Sequence, residues 1–541
     1  AAKDINGWFN SEIPLGESAV FYAFGTYNQR DTEGANYFRY PDGEANWPEV
    51  YPNGYRPVSI GENLDLAGVA GVRGHVGEWD IDASLNHGRN AYTYRLRNSL
   101  NASLGPSSPT RFKTGDYRFD QTLANVDISR LFAQGDNLHT FASGVEYRVE
   151  TYETGAGDPA SYAAGPFTDR PTGSQAGGGL TPQDEADLDR NVASVYASLS
   201  SSFGEKFSTD AAVRYEHYSD FGGEVTGKLA ARYEFVPAFA LRGALSKNFR
   251  APSLGQIGYE STGTGYNSAG QLIQSRLLSV NNPIARALGA TDLSPEQALN
   301  ASLGFTSRVG ETFDFSLDLF QIDIDDRVAL SEAITSDALT AYIDSTFGVP
   351  GVQSVSFFTN AADTQTRGAE AVANWRHPLA GGQLLLTGTW SYAETEIKRV
   401  VTTPAQLTAV VPDAVLFGVE ERNTLTDAAP RTRSAFTGSW TNDRWNLLAR
   451  VTRHGSTRRV FNFGGGFEPE QVYGAKWQLD AEAEVRLGDK WTLAIGGQNL
   501  TDEYADLSNE DIFYFGNLPY DVLSGIGSSG AYYYTRVRYA F

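Results

Sequence analysis

The side chains best suited to chemistry in this sequence are flat rings and cations in its irregular stretches. Tyr259, Tyr266, Phe357, Phe358, Phe513 and Tyr514 fall between the regular segments, where rings could stack on a planar ligand or a sugar. Arg458, beside Arg459, could meet an anionic ligand or phosphate groups. Self-packing inside folded loops is the competing role for each ring. The six histidines, His75, His87, His139, His217, His377 and His454, are scattered, and none makes a metal-ligand pair at helical or hairpin spacing. His454 alone sits where a haem could be reached. Ile324-Asp325-Asp326-Arg327-Val328 clusters acids without the spacing of an EF-hand, so it reads as the start of a solvated loop, helical in pattern through 329–344. No metal site and no resident cofactor is expected.

Catalytic chemistry finds little support. Cysteine is absent, which removes thiol nucleophiles, disulfides and thiolate metal sites together. No G-x-S-x-G elbow anchors a serine triad. Gly177-Gly178-Gly179 and Gly464-Gly465-Gly466 do not lead from a strand into a helix, so they are not phosphate cradles. The formal charge of -22 argues against a nucleic-acid partner, whose phosphates need cationic cover. An enzyme is not expected.

The elements that must carry these rings are long strands. From Lys476 to Leu487 the residues alternate almost without a break. Trp477, Leu479, Ala481, Ala483, Val485 and Leu487 share one face; Gln478, Asp480, Glu482, Glu484 and Arg486 share the other. Residues 141–150 and 384–392 repeat the pattern, with Leu385 out of phase. Sandwich strands usually run about 5–6 residues. Strands this long, with one aromatic-aliphatic face and one charged face, fit a barrel with lipid outside and an enclosed polar interior. No run of 18 apolar residues is present, so a spanning helix is excluded but a spanning barrel is not.

Turn spacing adds sidedness. Tight turns are expected near 15–16, 74–75, 135–136, 204–205, 236–237, 310–311, 381–382, 442–443 and 488–489, mostly at Gly, Asn, Asp and Pro. Long connections cover about 30–57, 98–112, 153–188, 251–292, 326–360, 396–428, 455–472 and 501–528. Short periplasmic turns alternating with long outer loops are the habit of outer-membrane barrels. Nine tight turns give 18 strands and the C-terminal segment makes about 19. Residues 531–541 alternate to the end, with Tyr533, Thr535, Val537, Tyr539 and Phe541 on one face. In a closed barrel that strand pairs with the first.

Several segments resemble the barrel of TonB-dependent receptors. Ser246 to Leu254 reads S-K-N-F-R-A-P-S-L and is similar to that family's F-R-A-P-S-L, carried here by Phe249, Arg250 and Pro252. Leu293 to Asn300, with Pro295 and Glu296, resembles the L-x-P-E that opens the following strand. Arg367-Gly368-Ala369-Glu370 resembles R-G-x-E, and Asn499-Leu500-Thr501-Asp502-Glu503-Tyr504 resembles N-L-x-D-x-x-Y, with Tyr504 one residue early. The terminal Phe541 fits as well. Physically these are architectural: Pro252 removes a ladder donor and should end a strand, and Gly368 permits a bulge or close packing.

The resemblance implies an all-β, transmembrane antiparallel β-barrel of the 22-strand type, with about 19 strands in this chain. It implies a monomer in the outer membrane of a Gram-negative bacterium, in contact with lipid and lipopolysaccharide. The expected cargo is a scarce, bulky solute, with ferric siderophore first and cobalamin, haem or oligosaccharide as alternatives within the family. Energy would come from TonB-ExbB-ExbD acting on a plug. Residues 1–60 show neither plug nor TonB box, there is no leader pattern at Ala1, and methionine is absent throughout. The whole of 1–541 therefore reads as barrel, N-terminally truncated. A passive porin, an adhesin or secretion barrel, and a soluble sandwich are the rival readings.

Overall fold

The computed structural model describes residues 2–266, 272–349, 351–463, 466–513 and 519–540, with side chains for all but 264–266 and 272–273. Among these residues 22 strands form one sheet. Three of them, Ser261–Tyr266, Leu272–Leu278 and Ile334–Thr335, are short pieces inside long connections; the other nineteen make the wall. Each wall strand pairs antiparallel with its neighbours in the chain, from Ala2–Leu15 against Ala19–Ala35 to Trp491–Gln498 against Tyr532–Tyr539. The longest, Ser354–Leu379, has 26 residues.

The wall is an inside-out fold, because its apolar face has no core to enter. Trp477 is 51% exposed, Val145 54% and Leu229 61%, all pointing outward. The opposite face is tied up in cross-strand ion pairs. Arg450 pairs with Asp480 at 2.7 Å, Arg536 with Glu482 at 2.7 Å and Glu484 at 3.1 Å, and Arg214 with Glu146 at 3.2 Å. The alternation read from the sequence thus separates an outward apolar face from a charged lumen.

The outward face also changes along each strand. In Trp79–Arg97 it runs Trp79, Ile81, Ala83 and Leu85 near the short turn, then Arg89, Arg95 and Arg97 farther out. Those cations pair outward with Asp120 and Glu62 of the adjoining strands and with Glu33 of Ala19–Ala35, one strand farther on. In this strand the apolar band is therefore confined to the short-turn half, and the outer half is charged. At the rim beside the short turns the rings join in a belt: Phe203–Phe207, Tyr233–Phe235, Phe235–Phe239, Phe239–Phe305 and Phe305–Phe315 lie 4.8–5.8 Å apart by centroid. A belt of this kind has the form of the aromatic girdle of membrane barrels.

Nine short turns lie at this rim, as expected, with one displaced. The turn placed at 74–75 falls at Gly77-Glu78, because alternation continues through Val76 and Gly77 supplies the positive φ of 62°. A tenth short turn, at 219–221, lies at the opposite rim among the long connections. Two further expectations are corrected. Residues 324–328 do not open a loop: Phe313–Leu330 continues through them by way of an irregularity between Ile324 and Val328, and the helix begins only at Asp337–Phe347. Nor does the last strand meet the first. Ala2–Leu15 and Tyr532–Tyr539 each pair on one side only among the described residues. With nineteen alternating strands the first and last run the same way, so they could meet only in parallel.

The buried core sits in the long connections instead. Leu278, Ile284, Leu288, Ile334, Leu339, Ile343, Val355, Phe357, Leu407 and Leu416 form one cluster drawn from 251–295, 331–353 and 401–431 and from the first residues of the strand Ser354–Leu379. These connections fold into a packed cap over that rim of the barrel.

Candidate functional site

Beneath the cap, at the outer ends of three wall strands, lies a cavity of about 710 Å³. Its rings come from two sources. Tyr92 and Tyr94 (strand Trp79–Arg97), Tyr117 (Arg111–Gln134) and Tyr152 (Asn137–Ala156) stand on the lumen-facing side of their strands. The lumen face is fixed by register: Tyr92 opposes Asn63 and Tyr117 opposes Tyr92, in phase with the polar ladder of Asp65, Asn90 and Asn125. Tyr259 comes from a connection and Phe358 from the outer end of the wall strand Ser354–Leu379. Tyr117 and Tyr259 lie 5.4 Å apart by centroid, and Tyr92 and Tyr94 stack at 6.3 Å.

The F-R-A-P-S-L segment positions this wall. Phe239–Arg250 ends two residues before Pro252, whose carbonyl accepts a 2.8 Å bond from the buried Arg190. Arg190 is in turn held by Asp220 at 2.7 Å, and Phe249 packs edge-on against Tyr218 at 5.7 Å. Ser253 then caps the short helix Leu254–Gly258: its Oγ accepts from the Gln256 N–H at 3.0 Å while Gln256 Oε1 accepts from the Ser253 N–H at 3.1 Å. That reciprocal cap sets the exit of Tyr259 into the cavity. Behind Tyr259, Arg276 bridges Asp184 and Glu260, with Glu260 3.1 Å away. Burial pushes the Glu260 carboxyl up to about 7, while Arg276 and Thr181 hold Asp184 below its ordinary value against the opposing effect of burial.

The remaining sequence candidates are dispersed. Phe357 and Phe358 are adjacent in a strand and so point opposite ways; Phe358 lines the cavity and Phe357 is fully buried in the cap core, offering no surface to a solute. Arg458 is paired with Glu470 on the hairpin Thr457–Val460 with Glu470–Tyr473, and Phe513 lies in a separate connection. Tyr266 has no described side chain, and Tyr514 and Phe541 lie outside the described residues. Glu296 receives Arg250, with Pro295 just before its strand begins. Gly368 lies beneath the Phe320 ring, and Glu370 faces the lumen opposite Ser391. Asn499, at φ 51°, turns the chain out of its strand, donating from its side chain to the Glu503 carbonyl at 2.8 Å, and Tyr504 stacks on Tyr520 at 5.9 Å. His454 bonds Gln478 at 3.1 Å, and no group of three or more His, Asp or Glu among the described residues is arranged to hold a metal ion.

Tyr92, Tyr94, Tyr117 and Tyr152 were not singled out in the sequence. Their signal was available: each is a tyrosine on the polar-phase face of a strand, within six residues of a long connection or of a bulge next to one.

Comparison with known proteins agrees with this architecture. The profile of the TonB-dependent receptor-like β-barrel family matches residues 7–500. The fold is similar to the siderophore receptor PirA of Acinetobacter baumannii, with TM-score 0.63, 14% identity, and coverage of 100% of this chain and 71% of that one. It is similar to the ferric-catecholate import receptor Fiu of Escherichia coli K12 at TM-score 0.61 and 12% identity, covering 100% and 75%. For FpvA of Pseudomonas aeruginosa, solved bound to pyoverdines, the values are 0.58 and 12%, covering 93% of this chain and 61% of FpvA.

Proposed function

The chain belongs to the TonB-dependent receptor β-barrel family, transport receptors rather than enzymes, and from that premise we propose that it serves the import of a scarce, bulky solute across the Gram-negative outer membrane, energised through TonB-ExbB-ExbD. The tyrosine-lined cavity at the outer mouth carries this reading. It is the size of a small-molecule site, largely apolar with a few polar groups, and it lies where a solute would be captured before entering the lumen. Ferric siderophore is the first cargo class, on the likeness to the siderophore receptor PirA and the ferric-catecholate import receptor Fiu. The outward band would contact lipid and the charged outer half lipopolysaccharide, with one barrel working as a monomer.

The test is uptake by cells expressing the full-length protein. Import should require TonB and the inner-membrane proton gradient, and purified protein in planar bilayers should conduct almost no ions. Uptake that survives loss of TonB, or steady porin-like conductance, overturns the reading.

A further inference from the structure

The cavity that this transport reading assigns to cargo has a lining with an unusual charge balance. Its described side chains are tyrosines, one phenylalanine, leucines, alanine, threonines, serines and a glutamine, with glycine backbone between them. None carries a charge at neutral pH, since tyrosine ordinarily ionises only near ~10. The cations close by are already matched. Arg276, behind Tyr259, is shared by two carboxylates, and Lys113, four residues before Tyr117, pairs with Asp116. Arg118 is shared by Asp120 and Glu153 on the outer face of the wall.

We propose that this cavity seats an uncharged part of the cargo that has a flat apolar face and hydrogen-bonding edges, and that it turns away multiply anionic iron chelates. Burying a polyanion here would strip its water with no cation to replace it, a cost that one bound counter-charge normally offsets. What the lining does offer is ring faces for stacking, together with hydroxyls and amides that both donate and accept. Gly177 and Gly178 leave their backbone open on one side, where side chains would narrow the space between Tyr94 and Thr262. Two sources share the required chemistry: the organic shell of a neutral ferric chelate, and a neutral oligosaccharide. The specificity filter therefore works by charge exclusion as much as by fit.

The experiment titrates full-length protein in detergent with three probes: a triply anionic iron(III) tris-catecholate, a neutral iron(III) tris-hydroxamate and a neutral linear oligosaccharide. Intrinsic fluorescence or calorimetry reads binding. One of the two neutral probes should bind, with little change from low to high salt, and which one binds identifies the source. Tyr117→Ala and Tyr259→Ala should each weaken it about tenfold or more, with heat-modifiable mobility confirming that the barrel is intact. Thr262→Arg, which places a cation on the wall, should lower neutral binding and admit the anion. Catecholate binding that Tyr117→Ala or Tyr259→Ala weakens overturns the inference, as does failure of both neutral probes. Failure of the transport reading shows separately, as uptake indifferent to TonB with neutral binding retained.

Discussion

Arg250 closes a forked pair onto Glu296 across neighbouring strands, its Nε 2.7 Å from Glu296 Oε2, and Glu296 Oε1 also accepts the Val328 backbone N–H at 2.6 Å. One buried carboxylate therefore joins three strand ends at the point where 251–295 leaves the wall. Glu296→Ala removes the acceptor and orphans the Val328 N–H, at a cost of about 1–3 kcal/mol. The barrel should still assemble, because its ladder is untouched. Hydrogen exchange should rise in 251–295 and around Val328, and Glu296→Gln, which keeps an acceptor, should show less than half of that rise.

Gly368 tests close packing inside the lumen. A Cβ there would lie 2.2 Å from Phe320 Cζ and 2.5 Å from the Tyr392 carbonyl oxygen. The ring can swing aside, but the carbonyl belongs to the adjoining strand. Gly368→Ala should lower the yield of heat-modifiable barrel, and adding Phe320→Ala should restore only part of it. Full restoration would mean that the backbone contact has no cost.

The two faces of one strand give a direct contrast. Val145 faces outward within the apolar band, while Glu146 faces inward and bonds Arg214 at 3.2 Å. Val145→Arg should destabilise folding into lipid vesicles by about 2–4 kcal/mol, the range for a cation near the bilayer middle. Glu146→Gln should cost about 1 kcal/mol or less, as for a partly exposed ion pair. Denaturant titration in vesicles reads both, and equal costs would contradict the assigned faces.

The wall was legible in the sequence because its rule is local. Period-two alternation from Trp477 to Leu487 fixes which residues look outward, and Gly or Asn at the rim fixes the short turns. The misplacement at 74–75 has the same origin: Gly74 and His75 look like a turn, but the glycine with positive φ is Gly77. The cavity was only half legible. Tyr259 and Phe358 drew notice from the connections, whereas Tyr117 and Tyr152 needed the register of three strands before they could be placed beside them. Phe357 shows the limit from the other side. Nothing local tells which of two adjacent rings enters the cap core, because that depends on Leu278 and Leu339 arriving from other connections.

The cap should respond to pH through Glu332 and Glu421. Burial, with repulsion from Glu420, pushes Glu332 up to about 7 and Glu421 up to about 8; Glu420 is raised by burial as well. Arg459 favours the ionised form of Glu420 and Glu421, but it is already paired with Asp521 at 2.9 Å, and the Asn462 N–H bonds Glu420 at 2.9 Å. The folded pKa values lie above the unfolded ones, so the folded cap holds more protons than the unfolded chain over the interval between them. Its stability is then greatest at the acid end and falls as pH rises from the ordinary carboxylate range through 7 and 8. Protease cleavage within 401–431 should accelerate between pH 6 and 9, while the wall strands stay protected. Glu332→Gln together with Glu421→Gln should flatten that dependence and leave the cap in its acid-side state. Cleavage that is independent of pH in the unmodified protein, or that accelerates on acidification, would show that these carboxyls are ionised in the folded cap.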